Sequence, residues 1–214
     1  MVNQPIESME RANFIFSEPR KYEIHDGKIY YMAGTSTGHG DVSGNIFNIF
    51  RNFLKGKKCR VFNNEVNVTF KKHFRRFLPD VKIVCDPSKI KGNGIHGAPD
   101  LVVEVLSPRT KNNDKGYKFR IYEHYGVKEY WLVDISNKTI EVYLLNEESR
   151  LEYDNTYQYY SEEEIKEIEE NDEIEILSEG EISEKELVKI KTFTTSIFGD
   201  DLHISIGDVF ENID

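Results

Sequence analysis

The segment from Ala98 to Ile135 constrains the fold more than any other part of the chain. It contains the apolar stretch APDLVVEVLS, then NNDKGYKFRIYEHYG with helical spacing of its apolar residues, then the apolar stretch VKEYWLVDI. Pro108 ends the first stretch, and Gly126 is the expected stop of the helix. Two strands joined through one crossover helix lie parallel in the same sheet. The segment therefore predicts a β-α-β unit.

Flanking segments predict further elements of both kinds. KYEIHDGKIYYMAG has apolar residues on either side of an HDG turn, which predicts a hairpin. In GHGDVSGNIFNIFRNFLKGKK, apolar residues at i, i+3, i+4 and i+7 from Ile46 predict a helix that ends near Gly56. Strands are expected in CRVFNNEVNVTF, FLPDVKIVCDP and KTIEVYLL. We expect an α/β (α+β) fold with a mixed central sheet flanked by helices and an added N-terminal hairpin.

The composition is typical of a folded protein with a substantial core. The chain has 214 residues, of which 38% are hydrophobic and 12% aromatic. No stretch approaches the roughly 18 apolar residues of a membrane span, and MVNQPIESMERANF lacks the basic start and apolar run of a secretory signal. Cys59 and Cys85 form no CxxC motif, so reduced thiols are expected. These features predict a cytoplasmic protein.

Charge is divided unevenly along the chain. The net charge is −10, but residues 147–214 hold 22 acidic and 5 basic residues, or −17, whereas residues 1–146 carry +7. We therefore expect a domain of residues 1–146 and an acidic C-terminal extension of residues 147–214. Within the extension, residues 161–187 should be loosely packed and residues 192–214 should dock back on the core. Such asymmetry is typical of a polyanion-binding body with an acidic appendage. A solvated tail without a partner is the alternative.

Two acidic residues stand in apolar strands and define the candidate site. Asp80 and Glu104 are equidistant from Gly92 in the KGNG turn, so a hairpin centred there would place them opposite each other. Cross-strand Cβ atoms are about 5 Å apart, close enough for the two carboxylates to share a metal ion. Buried carboxylates repel unless a cation joins them, and Mg²⁺ prefers such oxygen ligands. Acids on a solvent-facing edge, or acids bridged to lysines, are the alternative.

Asp100 and Lys118 are further candidates in this region. Asp100 is four residues from Glu104 on the same strand face, a rise of roughly 13 Å, so it caps the strand end unless a bulge intervenes. Lys118 shares its helical face with Asp114 and apolar residues, where a lysine is costly unless it meets an anion. Asp80 and Glu104 are the expected partners of its ammonium group. The alternative is snorkelling, in which the ammonium group reaches water.

Taken together, the motifs resemble a known family. LPDV, GAPDLVVEVLSP, the lysine that follows them and GVKEYWLVD are similar to segments of the Uma-type restriction endonucleases, within the PD-(D/E)XK nuclease superfamily. The resemblance runs from about YEIHDGKIYYMAG to TIEVYLL, with a weaker echo in FGDDLHISIGDVF. It implies a Mg²⁺-dependent endonuclease acting on DNA, in which Mn²⁺ can substitute. It also implies a homodimer, as in many nucleases that cut both strands.

The resemblance implies roles for the main candidates. Asp80 matches the Asp of the superfamily motif and Glu104 its second acid, and both would be catalytic and bind the metal. The lysine of the motif would stand at Leu106, a departure from the pattern. The resemblance therefore implies that Lys118, on the following helix, has taken over that role.

Three secondary candidates come from the same resemblance. Asp100, in the second PD of the sequence, is a further metal ligand or a support for one. Many superfamily members add an acid from the first helix or strand, and Glu65 is the nearest match. His39 lies in STGHGD, which is similar to a family segment at the start of the first helix, and a capping or packing role is its alternative.

Basic residues predict a nucleic-acid partner. The clusters KGKKCR and KKHFRR flank the first core strand, and such clusters attract phosphate backbones without reading sequence. The candidate DNA-binding residues are Lys55, Lys57, Lys58, Arg60, Lys71, Lys72, Arg75 and Arg76. Solvated loops are the alternative for these clusters. Two rival functions also stay open: a non-catalytic interaction or regulatory protein that keeps the fold, such as an acidic DNA mimic, and an enzyme for another phosphodiester substrate.

Overall fold

A six-stranded mixed sheet forms the centre of the fold. The computed structural model describes residues 21–71, 74–170 and 191–213. In spatial order, the strands of the central sheet are β12 (Leu151–Gln158), β11 (Thr139–Leu145), β10 (Glu129–Asp134), β9 (Leu101–Val105), β6 (Val81–Val84) and β3 (Arg60–Asn63). β9 and β10 run parallel, with Glu104 opposite Leu132, and the other neighbours run antiparallel. The parallel strands of the predicted β-α-β unit are therefore confirmed.

A second six-stranded sheet contains the N-terminal hairpin. In spatial order, its strands are β2 (Lys28–Tyr31), β1 (Tyr22–His25), β5 (Arg75–Phe77), β4 (Val68–Lys71), β8 (Gly94–His96) and β7 (Ile90–Lys91). The predicted hairpin is confirmed as β1 and β2, joined at Asp26 and Gly27, which both have positive φ as a tight two-residue turn requires. Two further strands, β13 (Thr192–Thr195) and β14 (Gly199–Ser205), pair with each other.

Helices follow β2 and β9, as the sequence predicts. α1 (Thr37–Phe53) precedes β3. The second helix runs in three parts: α2 (Lys111–Asn113), a π-helical segment (Asp114–Lys118) and α3 (Phe119–Tyr125). Gly126 ends α3 in the left-handed conformation, with φ of 81°. After β12, the described residues include the helices α4 (Glu162–Glu170) and α5 (Ile206–Val209).

Alternation along β9 decides which residues face which helix. Val103 belongs to a buried cluster that includes Phe50 of α1, whereas Val102 belongs to another that includes Tyr122 of α3. The central sheet is therefore covered by a helix on each face. Because successive side chains of a strand point to opposite faces, Glu104 lies on the face of the second helix.

α1 presents one buried stripe to the central sheet. The stripe consists of His39, Val42, Ile46 and Phe50, which are three or four residues apart. Ser36 caps the helix, and its side chain accepts a hydrogen bond from His39 N at 3.2 Å. His39 therefore sits at the N-terminal end of the face that packs on the sheet.

The observed strands differ from the sequence predictions in several places. CRVFNNEVNVTF predicts one strand, but the chain turns after Asn63, so β3 and β4 join different sheets. Asn63 stabilises this turn, since its Oδ1 accepts a hydrogen bond from Glu65 N at 3.2 Å and its carbonyl one from Val66 N at 3.2 Å. β12, which the sequence analysis did not predict, pairs along β11. Of its eight residues only Leu151 is buried, so it carries no apolar alternation.

The C-terminal segment packs against the central sheet. The ring of Phe193 lies 5.1 Å from that of Trp131, and both residues belong to the buried cluster on the α1 face. Glu129 at the start of β10 accepts hydrogen bonds from Ser196 N at 2.8 Å and Ser196 Oγ at 2.6 Å. In the acidic segment before it, α4 buries Ile165. Residues 171–187, which are most of the stretch that we expected to be loosely packed, lie outside the described residues.

Cys59 and Cys85 form a disulfide, so the prediction of reduced thiols is wrong. β3 and β6 pair antiparallel with Arg60 opposite Val84, and the cysteines just beyond that pair face each other with Cα atoms 3.9 Å apart. The cysteine pattern therefore no longer supports the expected cytoplasmic location. Among the helices in the described ranges, none is long and apolar enough to cross a membrane.

Candidate active site

The hairpin strand β1 buries its polar residues. Glu23 and His25 are buried, whereas Tyr22 and Ile24 are half-buried. Glu23 Oε1 accepts a hydrogen bond from Leu78 N at 2.9 Å, and Glu23 Oε2 lies 2.8 Å from His25 Nε2. This inverted alternation means that the inner face of the hairpin meets a polar site rather than an apolar core.

Asp80 and Glu104 approach each other from neighbouring strands. β6 and β9 pair antiparallel with Val81 opposite Val103, and the same register extended by one residue places Asp80 opposite Glu104. Asp80 Oδ2 accepts a hydrogen bond from Val105 N at 2.8 Å, so its carboxylate reaches across to β9. Both side chains are buried. The register is the one expected for a turn centred at Gly92, although the intervening chain contributes β7 and β8 to the second sheet.

Lys118 joins three elements through buried ion pairs. Its Nζ lies 3.1 Å from Glu104 on β9, 3.2 Å from Glu23 on β1 and 3.2 Å from Asp114 one turn earlier in its own helix. None of the four side chains is more than 7% exposed. Asp80 and Glu104 were the expected partners, and the structure keeps Glu104 but adds Glu23 and Asp114 instead of Asp80. The π-helical segment that carries Asp114 and Lys118 is a local widening of the helix of the kind often found at functional sites.

The cluster holds more carboxylates than cations, and this shifts its protonation. Burial raises the pKa of Glu104 to about 8, and neighbouring carboxylates, Asp114 foremost, add to the rise. Burial also acts on Glu23, but the charge of Lys118 and the hydrogen bond from His25 outweigh it and lower the pKa of Glu23 to about 2. Burial opposes the charge of Lys118, but the surrounding carboxylates raise its pKa well above its usual value. Lys118 therefore stays protonated.

His39 orients the carboxylate of Asp80. His39 Nε2 lies 2.9 Å from Asp80 Oδ1, and both side chains are buried. Burial favours the neutral ring, but the hydrogen bond and charge of Asp80 outweigh it and raise the pKa of His39. The other ring nitrogen, His39 Nδ1, is buried and has no hydrogen-bond partner within the described residues. The structure thus brings His39 into the site as well as into the helix cap.

Lys82 is a buried lysine that the sequence analysis did not single out. It stands two residues after Asp80 on β6 and is fully buried. Its Nζ donates to Asn63 O at 2.6 Å and to Pro79 O at 2.9 Å. Burial lowers the pKa of Lys82 to about 7 despite the nearby carboxylates. Backbone carbonyls hold this ammonium group, which therefore ties β6 to the end of β3 rather than joining the ion pairs of Lys118.

Asp100 lies at the opposite end of β9 from Glu104. Its Oδ2 accepts a hydrogen bond from Cys85 N at 2.7 Å, and its Oδ1 one from Lys128 Nζ at 2.8 Å. The pairing of β9 with β10 continues without a bulge, so the two acids stay roughly 13 Å apart along the strand. Asp100 is thus placed as the cap of the strand end, apart from the carboxylates around Lys118.

Glu65 is also remote from the cluster. It is exposed in the turn between β3 and β4 and forms an ion pair with Lys21. Within the described residues, its carboxylate contacts Lys21 and none of Asp80, Glu104 and Lys118. The resemblance to the family therefore pointed to a residue that the fold places elsewhere.

The predicted DNA-binding residues are distributed over several elements. Lys55, Lys57 and Lys58 follow α1, Arg60 begins β3, and Lys71, Arg75 and Arg76 lie on β4 and β5, whereas Lys72 lies outside the described residues. Arg75 Nε donates to Asp26 Oδ1 at 2.7 Å, and Arg76 Nη1 donates to Tyr22 O at 2.6 Å. These two arginines are half-buried and hold the hairpin. The exposed members of the set are Lys55, Lys57, Lys58, Arg60 and Lys71.

A cleft opens beside Lys118, between the hairpin and the start of the second helix. It has a volume of about 560 Å³. Buried Glu23 and Lys118 line it together with exposed Lys28, Tyr30 and Arg109. The cleft therefore connects the ion-pair cluster to solvent.

Glu23 and His25 are site residues that the sequence analysis missed. The signal was present in the hairpin, because YEIH places an acid and a histidine on one strand face between apolar residues on the other. Which of the two faces is buried depends on what packs against it, so the apolar face was the default expectation for the core.

Comparisons with known proteins agree with this architecture. The family model Uma2, described as "Putative restriction endonuclease", matches residues 6–182. A protein of Synechocystis sp., named "Uncharacterized protein slr1290", is 36% identical over 129 residues, which are 60% of this chain and 68% of that protein. The crystal structure of "a putative nuclease belonging to DUF820" from Anabaena variabilis is similar, with a TM-score of 0.61 and 18% identity, over 92% of this chain and 96% of that one.

The structural likeness concerns the fold, and it confirms the expected α+β, restriction-endonuclease-like architecture. The family match covers most of the chain, from before the N-terminal hairpin to beyond α4. It therefore includes Asp80, Glu104 and Lys118 together with the hairpin that carries Glu23. By this match, the chain belongs to the Uma2 family.

Proposed function

We propose that the chain is an endonuclease that hydrolyses phosphodiester bonds of DNA with Mg²⁺, for which Mn²⁺ can substitute. The description of the Uma2 family supports a nuclease-type function. The observation that carries the proposal is the buried cluster in which Lys118 meets three carboxylates beside the Asp80–His39 pair. Burying so many ionisable groups is costly, and such clusters beside a cleft are typical of catalytic sites.

The chemistry of the donor set supports Mg²⁺. Among the described residues, no group of three or more His, Cys, Asp or Glu side chains is arranged to hold a metal ion. Mg²⁺ does not require one, since it usually binds one or two carboxylates and keeps several waters. Asp80 and Glu104 would supply that pair. Burial, and after it the neighbouring carboxylates, raise the pKa of Glu104, and a divalent cation would favour its ionised form.

Each residue of the cluster has a task in the proposed reaction. Tyr122 OH donates to Glu104 Oε1 at 2.8 Å and holds that carboxylate, as His39 holds that of Asp80. Lys118 keeps a positive charge at the inner end of the cleft, where it would position the attacking water and stabilise charge on the phosphate. When bound, Mg²⁺ would supply an activated water and stabilise the same charge.

Cleavage assays with the purified full chain test the proposal. Supercoiled plasmid, linear duplex and single-stranded DNA are incubated in Mg²⁺, Mn²⁺ or EDTA. We expect cutting only with metal. Asp80→Asn, Glu104→Gln and Lys118→Met should each lower the rate by at least about 100-fold, as loss of a charge-stabilising group does in other enzymes.

Two further variants serve as controls. Glu152→Gln changes an exposed acid on β12, and Glu65→Gln changes an acid on an exposed turn, so both should cut at close to the wild-type rate. Circular dichroism checks that every variant is folded. The proposal fails if the wild type cuts none of the three substrates with either metal, or if all three cluster variants cut as fast as the wild type.

A non-catalytic partner-binding module, such as an acidic DNA mimic, is the rival function. The first turn of α4 favours it, because Glu162, Glu163 and Glu164 are exposed in succession. Such a module would leave all DNA uncut and would compete with DNA for a basic partner.

We also propose that the chain acts as a homodimer, since cutting both strands needs two sites. Light scattering in solution measures the mass that decides this.

A further inference from the structure

We propose that the cleft beside Lys118 binds one unstacked nucleotide with its base against Tyr30, so that the protein prefers single-stranded DNA or unpaired stretches of a duplex. The proposal rests on the proposed nuclease function for its substrate class. The cleft has a volume of about 560 Å³, within the range of small-molecule sites. Its lining combines aromatic rings with Lys28 and Arg109, which pair with no carboxylate of the described residues.

Aromatic rings are layered along one wall of the cleft. The ring centroid of Tyr30 lies 4.6 Å from that of His25, and His25 stacks on Tyr117 at 5.0 Å with an interplanar angle of 20°. The register of the hairpin places Tyr30 opposite Glu23, so Tyr30 is on the face that meets the ion-pair cluster. Tyr30 is nevertheless 50% exposed. Its ring is therefore supported from behind by His25 while much of it remains open to solvent.

An exposed ring held from behind is a platform for a nucleobase. Since the support of His25 fixes the ring before binding, little further ordering is required when a base stacks on it. Every base has a π-face, so such stacking does not depend on sequence. In a B-form duplex both faces of a base are covered by its neighbours. Only an unstacked base can therefore contact Tyr30 with its full face.

The charges at the rim of the cleft fit the phosphates of a bound strand. Lys28 and Arg109 line the cleft, are exposed and form no ion pair within the part of the chain that the structure describes. The carboxylates in the lining are already paired, since Glu23 contacts Lys118 and Asp26 lies 2.7 Å from Arg75. The charges left free in the lining are therefore positive, which favours a polyanion.

The position of the cleft links base binding to the proposed chemistry. Lys118 and Glu23 belong to its lining together with Tyr30, so one cavity of nucleotide size spans from the aromatic wall to the ion-pair cluster. A nucleotide with its base on Tyr30 would then have an adjoining phosphate within reach of the ammonium group of Lys118. This geometry would couple the choice of an unpaired strand to the position of the bond that is cut.

Equilibrium binding without metal tests the proposal. Fluorescence anisotropy is measured with the full chain in EDTA and low salt, so that no cleavage occurs. The probes are a labelled oligothymidylate of about 12 nucleotides, the same strand with abasic residues, and a blunt duplex of equal length. We expect the wild type to bind the oligothymidylate at least about fivefold more tightly than either of the other probes.

Variants at Tyr30 test whether this residue causes the preference for the oligothymidylate over the abasic strand. Tyr30→Ala should weaken binding of the oligothymidylate by about 5- to 100-fold and leave binding of the abasic strand unchanged. Tyr30→Trp, which keeps an aromatic face, should bind at least as tightly as the wild type. Tyr153→Ala is the matched control, because Tyr153 on β12 is 59% exposed but lies outside the cleft lining. It should bind like the wild type.

Several results would overturn the proposal. One is equal affinity of the wild type for the thymidylate and abasic strands, which needs no variant and so cannot be confused with misfolding. Others are tighter binding of the duplex, equal effects of Tyr30→Ala and Tyr153→Ala, or no binding of any probe. If binding depends on Tyr30 but no DNA is cut, the nuclease function is refuted and the nucleotide site at Tyr30 stands. If DNA is cut but binding does not depend on Tyr30, the nucleotide site is refuted and the nuclease function stands.

Discussion

Lys118 Nζ lies 3.2 Å from the carboxylate of Glu23, and this ion pair connects the second helix to the N-terminal hairpin. The hairpin belongs to the second sheet, whereas Glu104, the neighbouring partner of Lys118, belongs to the central sheet. One ammonium group therefore holds both sheets and the helix at the candidate site. Substitution of either Glu23 or Lys118 should therefore lower the free energy of unfolding.

Glu23→Gln should destabilise the protein in a pH-dependent way. The pKa of Glu23 falls from its usual 4.5 to about 2 in the folded state, so folding favours the ionised carboxylate. Its stabilising contribution, on the order of 3 kcal/mol, is present above the unfolded pKa and is lost as the pH falls through the folded one. Urea denaturation of both proteins at a series of pH values measures this. The difference between them should shrink below about pH 4.5, and a constant difference down to acid pH would contradict the prediction.

Lys118→Met should be among the most destabilising single substitutions in the chain. It leaves three buried carboxylates without their shared cation, which costs about 3–5 kcal/mol. Lys115→Met is the matched control, because Lys115 lies on the same helix but pairs with Glu141 at the surface. Breaking that exposed pair costs less than about 1 kcal/mol. Chemical denaturation at neutral pH compares the two, and equal losses would mean that the cluster around Lys118 is not buried in solution.

If the proposed function holds, Mg²⁺ should raise the thermal midpoint of the wild type, because a site formed by Asp80 and Glu104 would exist only in the folded state. When the Mg²⁺ concentration is 100 times the Kd, binding adds about 2.7 kcal/mol to the free energy of unfolding. Asp80→Asn and Glu104→Gln should abolish the shift. His39→Asn should keep a smaller one, since removing a group that orients a ligand weakens metal binding by about 10- to 100-fold. Differential scanning fluorimetry over a Mg²⁺ titration measures this, with NaCl of equal ionic strength as the control. An equal shift in Asp80→Asn and the wild type would place the ion elsewhere.

Reduction of the Cys59–Cys85 disulfide should lower stability. The bond joins residues 26 positions apart, and releasing a loop of that length costs about 3.5 kcal/mol in the chain-entropy model. Thermal unfolding with and without a reducing agent should show this loss. The double variant Cys59→Ser/Cys85→Ser should match the reduced protein and be insensitive to reductant. Alkylation of both thiols in unfolded, unreduced protein, detected by mass spectrometry, would show that the disulfide is absent.

The part of the candidate site that could be predicted is the part set by strand register and helical spacing. Equal distances from Gly92 placed Asp80 opposite Glu104, and the pairing of β6 with β9 has that register. Helical spacing put Asp114 on the same face as Lys118, and the two side chains form an ion pair. Register and spacing are local, so a single sequence carries them. The sequence did not predict β12, because this strand is exposed along most of its length and shows no apolar alternation.

The sequence by itself determined the β-α-β unit, the opposition of Asp80 and Glu104, and the inward direction of Lys118, because strand and helix periods dictate which side chains share a face. The tertiary structure alone decided that Glu23 completes the ion pairs of Lys118, that His39 meets Asp80, and that Cys59 bonds to Cys85. These contacts join residues from elements that are distant in the chain. Their existence depends on how two sheets and two helices pack, and no local period encodes that packing.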